Sequence, residues 1–292
     1  MFEKLWKERA ALVEENLQAE IKKTKTIDKK LNEAMEYSLL SGGKRLRPVL
    51  LMAAADAVGG DGEKFLPVAC AVEMIHTYSL IHDDLPAMDD DDYRHGKLTN
   101  HKVFGEAGAI LAGDALLTLA FEVMTRQENV EPKILLKVIR EISSAAGMAG
   151  MVGGQMIDLQ SENKKIDLPT LKKMHLGKTG ALFKAAIRSG AILAGTDEEK
   201  LFALTDYAEN FGLAFQITDD ILDVVGDEKK IGQPVGSDEK NHKSTYVTLT
   251  SLDISKVLAA EAANTAVHSL NVFGSEADFL RELVKFLIDR KA

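Results

Sequence analysis

The sequence predicts an all-α protein, and three observations support this class. Segments whose apolar residues recur every three or four positions follow one another along the chain. Only six prolines occur among the 292 residues. Alternating runs of β-branched residues, which are typical of strands, are scarce. No internal repeat, low-complexity tract or long linker divides the chain, so we expect one domain over residues 1–292.

The N-terminal third is predicted to contain three helices. The first is amphipathic, and its apolar residues include Leu5 and Leu12. The second runs over residues 41–60, from a glycine turn to a pair of glycines that can end a helix. The third begins near Pro67, which is tolerated in the first helical turn, and continues without a breaker to Asp83.

The rest of the chain is predicted to be helical except for one long polar loop. Helical patterns occupy residues 107–123, 133–160, 168–195, 198–225 and 276–292. Gln155 and Asp158 follow a glycine pair that lets helices approach closely, and we expect both near a cavity. Residues 226–245 are polar, contain four lysines and form a loop of a length that is often functional.

Composition excludes several classes of function. The formal net charge of −9 argues against a nucleic-acid partner, which requires a basic surface, but not against small anionic ligands. The N-terminal segment is charged and lacks the apolar core of a signal peptide. Asp114 interrupts the most apolar stretch, so we expect no membrane span. The single cysteine, Cys70, is consistent with a reducing cytoplasm.

An unusual density of negative charge follows the third predicted helix. Six aspartates lie between Asp83 and Asp92. Asp83 and Asp89 are six residues apart and would point to different sides of a continuous helix. Pro86 disfavours helical backbone at Leu85, so the helix should end near residue 84 and a short loop can return Asp89 towards Asp83.

A second acidic group predicts that the two clusters hold metal ions together. Asp219, Asp220 and Asp223 occur at helical spacings of three and four residues, which place carboxylates on one face. Like charges at this spacing destabilise a helix unless a cation compensates. Carboxylate oxygens without neighbouring cysteines favour a hard cation such as Mg²⁺, which usually shares a few carboxylates with substrate phosphates.

Several basic residues could bind those phosphates. Lys44, Arg45 and Arg47 follow the glycine turn at residues 42–43, and arginine can hold phosphate oxygens with two parallel hydrogen bonds. Further candidates are Arg94, His95, Lys178, the hydroxyl group of Thr179, and Lys243. The sequence GKTG at residues 177–180 is not a P-loop, because the upstream glycine and the preceding strand are both missing.

These segments, taken in order, resemble the signature motifs of the trans-isoprenyl diphosphate synthases. The motifs are GGKRLRP (42–48), DDLPAMDDDDYRHG (83–96), GGQMIDL (153–159), KTGALF (178–183) and FQITDDILDVVGD (215–227) with GSDEKNHKSTY (236–246). Both aspartate motifs are most similar to those of bacterial farnesyl diphosphate synthases. The resemblance covers roughly residues 40–250 and implies a bundle of ten or more helices around a deep central cavity.

The resemblance also implies a reaction. An allylic diphosphate, first dimethylallyl and then geranyl, loses its diphosphate, and the double bond of isopentenyl diphosphate attacks the allylic cation. Loss of a proton leaves an allylic diphosphate that is one C5 unit longer. Such enzymes use Mg²⁺, for which Mn²⁺ can substitute, and the resemblance implies that three ions bind here. Family members usually form homodimers.

The site residues follow from the resemblance position by position. Asp83, Asp84 and Asp89 are expected to hold two metal ions, and Asp219, with Asp223 close by, a third. The expected contacts of the allylic diphosphate are Arg94, Lys178 and Lys243, with Thr179 and Gln216 beside the reacting carbons. The expected contacts of isopentenyl diphosphate are Lys44, Arg47 and His76, with Gly43 at the turn.

Two positions depart from the family pattern. His95 stands where a second arginine commonly holds isopentenyl diphosphate, and Gln233 stands where lysine is common. Both changes remove fixed positive charge, and histidine is charged for only part of the time near neutral pH. We therefore predict weaker diphosphate binding than in a fully basic relative, with an affinity that His95 makes dependent on pH.

Tyr78 and Ser79 bear on the length of the product. Tyr78 precedes Asp83 by five residues, or about 7.5 Å along a helix, so its ring could close a pocket for the growing tail. In the family, an aromatic residue here accompanies a C15 product, and Ser79 is too small to block. Alternatively, Tyr78 packs in the core or faces a partner subunit.

Three other functions stay open at this point. The first is a geranylgeranyl diphosphate synthase, with a C20 product. The second is a terpene cyclase, which would share the helices, the magnesium and the aspartates but should lack a site for the second substrate. Lys44 and Arg47 indicate such a site and so disfavour a cyclase. A non-catalytic regulatory subunit could lose an acidic motif, whereas this chain has both.

Overall fold

The structure is a computed structural model that describes residues 2–226 and 243–289. It confirms the all-α class and the bundle of more than ten helices. The helices are α1 Phe2–Lys23, α2 Lys29–Leu39, α3 Leu46–Ala57, α4 Leu66–Asp83, α5 Asn100–Phe104, α6 Glu106–Thr125, α7 Pro132–Ala146, α8 Met151–Ser161, α9 Leu168–His175, α10 Ala181–Leu193, α11 Glu198–Val225, α12 Tyr246–Leu249, α13 Leu252–Ser269 and α14 Asp278–Ile288.

Helices α3 and α4 lie in the interior. Every residue of α4 from Val68 to Ile75 is buried, as expected for a helix that is apolar on all sides. One core cluster joins α4 to α1, α3, α6 and α7, and a second joins α3 to α10, α11 and α14. Helices α3 and α10 approach so closely that a Cβ atom on Gly190 would lie 1.9 Å from the carbonyl oxygen of Leu51. This packing fixes the N-terminal end of α3 and the C-terminal half of α4, which carry candidate site residues.

Some predicted boundaries differ from the observed ones. The pattern at residues 133–160 is divided into α7 and α8, because Gly147 and Gly150 have non-helical backbone, with φ and ψ of −86° and −153° and of −140° and −117°. A π-helical turn over Leu176–Gly180 joins α9 to α10. Sequence patterns did not predict α2 or α13. Helix α2 is short and is stabilised by the Asp28 side chain, which caps its N-terminus.

A two-stranded hairpin also escaped sequence prediction. Strands β1 Tyr93–Arg94 and β2 Lys97–Leu98 are antiparallel and pair Arg94 with Lys97. The two residues between them, His95 and Gly96, both have positive φ, of 52° and 75°, as a tight two-residue hairpin turn requires. The hairpin holds Arg94 and His95 beside the end of α4.

Helix α6 contains the most apolar stretch of the chain. By length and composition alone it could cross a membrane, and it is the one helix in the described residues that passes this test. Its Ala112, Leu116 and Ala120 are fully buried in the core cluster that contains α4. Helix α6 is therefore accounted for as a core helix of the bundle.

Candidate active site

A cavity of about 650 Å³ brings together predicted site residues from five separate segments. These segments are the loop before α3, the C-terminal half of α4, the hairpin, the π-helical turn and α11. The predicted site residues that line the cavity are Gly43, Lys44, Arg47, His76, Asp84, Arg94, His95, Thr179, Gln216 and Asp219. Carboxylates from both acidic motifs therefore face one shared space, together with the cations of the glycine loop.

The first aspartate motif turns back on itself, as the sequence predicts. Helix α4 ends at Asp83, with Asp84 as its C-cap. The backbone N–H of Asp89 then donates to the carbonyl oxygen of Asp83 at 2.9 Å. The side chains of Asp83, Asp84 and Asp89 are only 14%, 5% and 13% exposed, respectively. The loop thus gathers three carboxylates in a region from which most water is excluded.

Asp83 and Asp89 both contact lysines from distant segments. Lys178 Nζ lies 3.5 Å from Asp83 Oδ2 and donates to Asp158 Oδ2 at 2.6 Å. Lys243 Nζ lies 3.4 Å from Asp89 Oδ1. Burial alone would lower the pKa of Lys178, but Asp83 and Asp158 raise it above its usual value, so this lysine stays charged. The π-helical turn and the segment before α12 therefore bring positive charge to the aspartate motif.

Asp84 is paired with the hairpin. Arg94 donates to Asp84 Oδ1 at 2.6 Å, and its guanidinium group also lies 3.5 Å from Asp91. Burial nevertheless raises the pKa of Asp84 to about 6, and Arg94 offsets only part of this shift. For Asp83, burial also raises the pKa, Lys178 opposes the shift, and Asp89 adds to it. The carboxylates are therefore poorly compensated where they lie.

The donor chemistry fits a hard divalent cation. Asp83, Asp84 and Asp89 offer only oxygen atoms, and the raised pKa values of Asp83 and Asp84 show that additional positive charge would be favourable there. Within residues 2–226 and 243–289, no group of three or more His, Cys, Asp or Glu side chains is placed to hold a metal ion by itself. Mg²⁺ usually retains waters and shares its coordination sphere with substrate phosphates, so one or two of these carboxylates would serve as its protein ligands.

The aspartates of α11 divide between two roles. Asp219 lines the cavity, and Asp223 lies one turn further along the same helix. Asp220 is buried and accepts a hydrogen bond from the backbone N–H of Tyr246 at 2.8 Å. Asp220 therefore supports the start of α12, a role that its spacing from Asp223 did not predict.

The glycine loop presents cations to the same cavity. Gly42 and Gly43 have φ of 87° and 126°, a region that glycine adopts at no steric cost. The Trp6 indole N–H donates to the carbonyl oxygen of Lys44 at 2.8 Å. The Arg47 guanidinium carbon lies 4.3 Å from the centre of the Phe183 ring, a cation–π distance. Burial lowers the pKa of Arg47 to about 10, so the group remains charged at neutral pH.

The two histidines that line the cavity, His76 and His95, favour the neutral form. Burial, and then Arg47, lower the pKa of His76 well below its usual value. For His95, desolvation lowers the pKa, Arg94, Arg45 and Lys44 add to the decrease, and Glu73 opposes it. His95 therefore supplies little positive charge at neutral pH, which agrees with the expected weakness at this position. Gln233, the second departure, lies outside the described residues.

Tyr78 is 7% exposed and belongs to the main core cluster. Its ring lies 5.8 Å from that of His82 at 80°, an edge-on contact. Ser79 donates its hydroxyl hydrogen to the His76 carbonyl oxygen at 2.7 Å. Neither Tyr78 nor Ser79 is among the residues that line the 650 Å³ cavity. Tyr78 thus packs in the core beneath the aspartate motif, and its effect on product length stays a prediction.

Sequence reasoning missed several polar contacts around the site. Gln155 donates to Asp83 Oδ1 at 2.5 Å, so both Gln155 and Asp158 support the aspartate–lysine cluster. Arg45 and Glu73 also line the cavity and are paired with each other. The three-residue spacings of Gln155 with Asp158, and of Glu73 with His76, indicate shared helix faces. Spacing alone did not reveal what those faces contact.

Comparison with known proteins agrees with this geometry. The family model described as polyprenyl synthetase matches residues 28–273. The farnesyl diphosphate synthase of Geobacillus stearothermophilus is 50% identical over 260 residues, covering 87% of this chain and 88% of that protein. The geranylgeranyl diphosphate synthase of Cyanophora paradoxa is 47% identical over 260 residues, covering 88% and 87%.

Solved structures are similar over almost the full length. The FPP/GFPP synthase from Zymomonas mobilis superimposes with a TM-score of 0.87 at 37% identity, covering 98% of each chain. The geranylgeranyl pyrophosphate synthetase from Pyrococcus horikoshii gives a TM-score of 0.91 at 33% identity, covering 99% of this chain and 98% of that one. The chain therefore belongs to the polyprenyl synthetase family, as a short-chain trans-prenyl diphosphate synthase.

Proposed function

We propose that this enzyme condenses isopentenyl diphosphate with dimethylallyl diphosphate and then with geranyl diphosphate, and releases (E,E)-farnesyl diphosphate. The observation that carries this proposal is the shared cavity, in which Asp84 and Asp219 face the cations Lys44 and Arg47. The aspartates suit a metal-bound allylic diphosphate, and the glycine loop suits a second diphosphate. A terpene cyclase has no use for that second site.

Each side chain has a defined task in this proposal. Asp83, Asp84 and Asp89 would hold two magnesium ions, and Asp219, with Asp223 close by, a third. Bound magnesium supplies positive charge that stabilises the departing diphosphate. Arg94, Lys178 and Lys243 would hold the allylic diphosphate through hydrogen bonds that strengthen as negative charge develops on it.

The other half of the cavity would orient the second substrate. Lys44, Arg47 and His76 would bind isopentenyl diphosphate, with Gly43 allowing a close approach of the backbone. Thr179 and Gln216 would lie beside the reacting carbons. The allylic carbon–oxygen bond breaks, the double bond of isopentenyl diphosphate forms the new carbon–carbon bond, and a proton leaves. The released diphosphate would accept that proton, because none of these side chains is an obvious base.

The proposal of a C15 product rests on Tyr78, which precedes Asp83 by about 7.5 Å along α4 and packs in the core outside the lining of the 650 Å³ cavity, where its ring would limit extension of the pocket. The alternative is a C20 product, because farnesyl and geranylgeranyl diphosphate synthases are similar to this chain at nearly equal identity. Incubation with Mg²⁺, labelled isopentenyl diphosphate and geranyl diphosphate, followed by chromatography of the product, distinguishes the two. A cyclised product, or no product, would contradict the proposal itself.

Assembly and location complete the proposal. We expect residues 1–292 to act as one domain in a cytoplasmic homodimer. Leu111 of α6, Met148 between α7 and α8, and Val152 of α8 are large apolar side chains that are 57%, 91% and 51% exposed, and a partner subunit would reduce such exposure. Sedimentation of the purified protein tests the dimer, and a monomer at micromolar concentration would contradict it.

A further inference from the structure

A buried ion pair connects the glycine loop to α4. Arg45 and Glu73 are each only 4% exposed, and Arg45 Nη1 donates to Glu73 Oε1 at 2.9 Å. Arg45 Nη2 also donates to the carbonyl oxygen of Leu39 at 2.7 Å, at the end of α2. Arg45 Nη2 also donates to a second carboxylate, that of Glu14, at 3.5 Å, and the Glu14 side chain is 42% exposed. One guanidinium group therefore connects the loop before α3 to the end of α2 and to α4.

The backbone at Arg45 is in an uncommon conformation. Its φ of 49° and ψ of 38° are left-handed, a region that residues other than glycine, asparagine and aspartate rarely adopt. Arg45 directly precedes α3 and lies between Lys44 and Arg47. Because the conformation is unfavourable by itself, contacts elsewhere must maintain it. The side chain of Arg45 has three such contacts, with Glu73, Leu39 and Glu14.

The position of Glu73 is unusual for a carboxylate. It lines the cavity among groups suited to bind a diphosphate, one helical turn before His76. Its Oε2 atom is buried and has no hydrogen-bond partner in the described part of the chain. A single negative charge here offsets the mutual repulsion of Arg45 and Arg47 before substrate binds. It also favours the charged form of Arg47, whose pKa burial lowers.

We propose that Glu73 and Arg45 are positioning residues, which hold Lys44 and Arg47 in the conformation that binds isopentenyl diphosphate. This inference rests on the proposed function. Neither residue needs to contact the reacting carbons. Their loss should therefore weaken binding of isopentenyl diphosphate and leave the allylic side of the cavity unaffected.

The test compares two buried glutamates. Glu73→Gln is expected to raise the KM for isopentenyl diphosphate about ten-fold or more, while kcat and the KM for geranyl diphosphate change less than about two-fold. Glu20→Gln is the matched control, because Glu20 is 5% exposed, is paired with Arg126 and Lys23, and does not line the cavity. It should lower thermal stability without a change in either KM.

A backbone-matched variant completes the test. Arg45→Asn keeps a residue that tolerates the left-handed region and removes the ion pair. It should reproduce the selective rise in the KM for isopentenyl diphosphate, and it replaces Glu73→Gln if that variant does not fold. An equal rise in both KM values, or the same kinetic effect from Glu20→Gln, would overturn the inference. Failure of the wild-type enzyme to form any prenyl product would instead reject the proposed function.

Discussion

Gly154 lies at the closest approach between α8 and the π-helical turn. A Cβ atom at this position would be 2.0 Å from the backbone nitrogen of Lys178 and 2.6 Å from the carbonyl carbon of Gly177. Both neighbours are backbone atoms, which cannot rotate away as a side chain can. Gly154→Ala should therefore force α8 and the turn apart, and with them the contact between Lys178 and Asp83.

The size of the effect follows from these distances. Ordinary contact begins at 3.4 Å, so the two segments would have to separate by about 1.4 Å. Overpacking of this kind costs about 1–3 kcal/mol, and for a chain of this size each kcal/mol lowers Tm by about 2–4 °C. A misplacement of about 1 Å can reduce catalysis 100-fold. Lys178 Nζ already lies 3.5 Å from Asp83 Oδ2, so a displacement of this size would break their ion pair.

Thermal melts and steady-state kinetics with both substrates test this prediction. Gly154→Ala should lower Tm by several degrees and lower kcat/KM for the allylic substrate by about 100-fold. Gly180→Ala is the control in the same turn, since its Cβ atom would meet nothing closer than 3.5 Å and its φ of −66° is helical. Near wild-type Tm and activity for Gly154→Ala would refute the packing argument.

Three further changes address individual steps. Tyr78→Ala should shift the products towards C20, because it removes a buried ring below the aspartate motif. Chromatography of the products measures this shift, with Ser79→Ala as the control, and an unchanged product profile would exclude Tyr78 as a determinant of product length. His95→Arg should lower the KM for isopentenyl diphosphate about ten-fold at neutral pH. This advantage should shrink as the pH falls through the lowered pKa of His95, where the wild-type imidazole becomes charged; a constant ratio of the two KM values across pH would contradict it. Asp158→Asn should raise the KM for the allylic substrate several-fold, because Lys178 loses the carboxylate that lies 2.6 Å away. A rise in the KM for isopentenyl diphosphate alone would contradict this role of Asp158.

Much of the candidate site could be predicted because its chemistry is local in sequence. Pro86 forces a helix end near Asp84, and the returning Asp89 amide follows from that break. The glycines at residues 42–43 indicate a turn beside Lys44 for the same local reason. The hairpin at Tyr93–Leu98 was missed because two-residue strands have too few positions to show an alternating pattern.

Contacts between distant segments could not be predicted in the same way. Asp219 and Asp220 are adjacent in sequence, yet one lines the cavity and the other binds the backbone of Tyr246. Successive residues on a helix point about 100° apart, so the surroundings of each depend on where neighbouring helices pack. Gln155 presents the same problem, since its partner Asp83 lies 72 positions away.

By itself, the sequence determined the helical class, the residues with phosphate and metal chemistry, and the resemblance that unites them, because these depend on residue type and short-range spacing. Only the tertiary structure decided which charges meet. The packing of large apolar faces brings these charged groups together, as it does Lys178 with Asp83 and Asp158, and Arg45 with Glu73. That packing sets the distance between helices to fractions of an ångström, and linear spacing carries no such information.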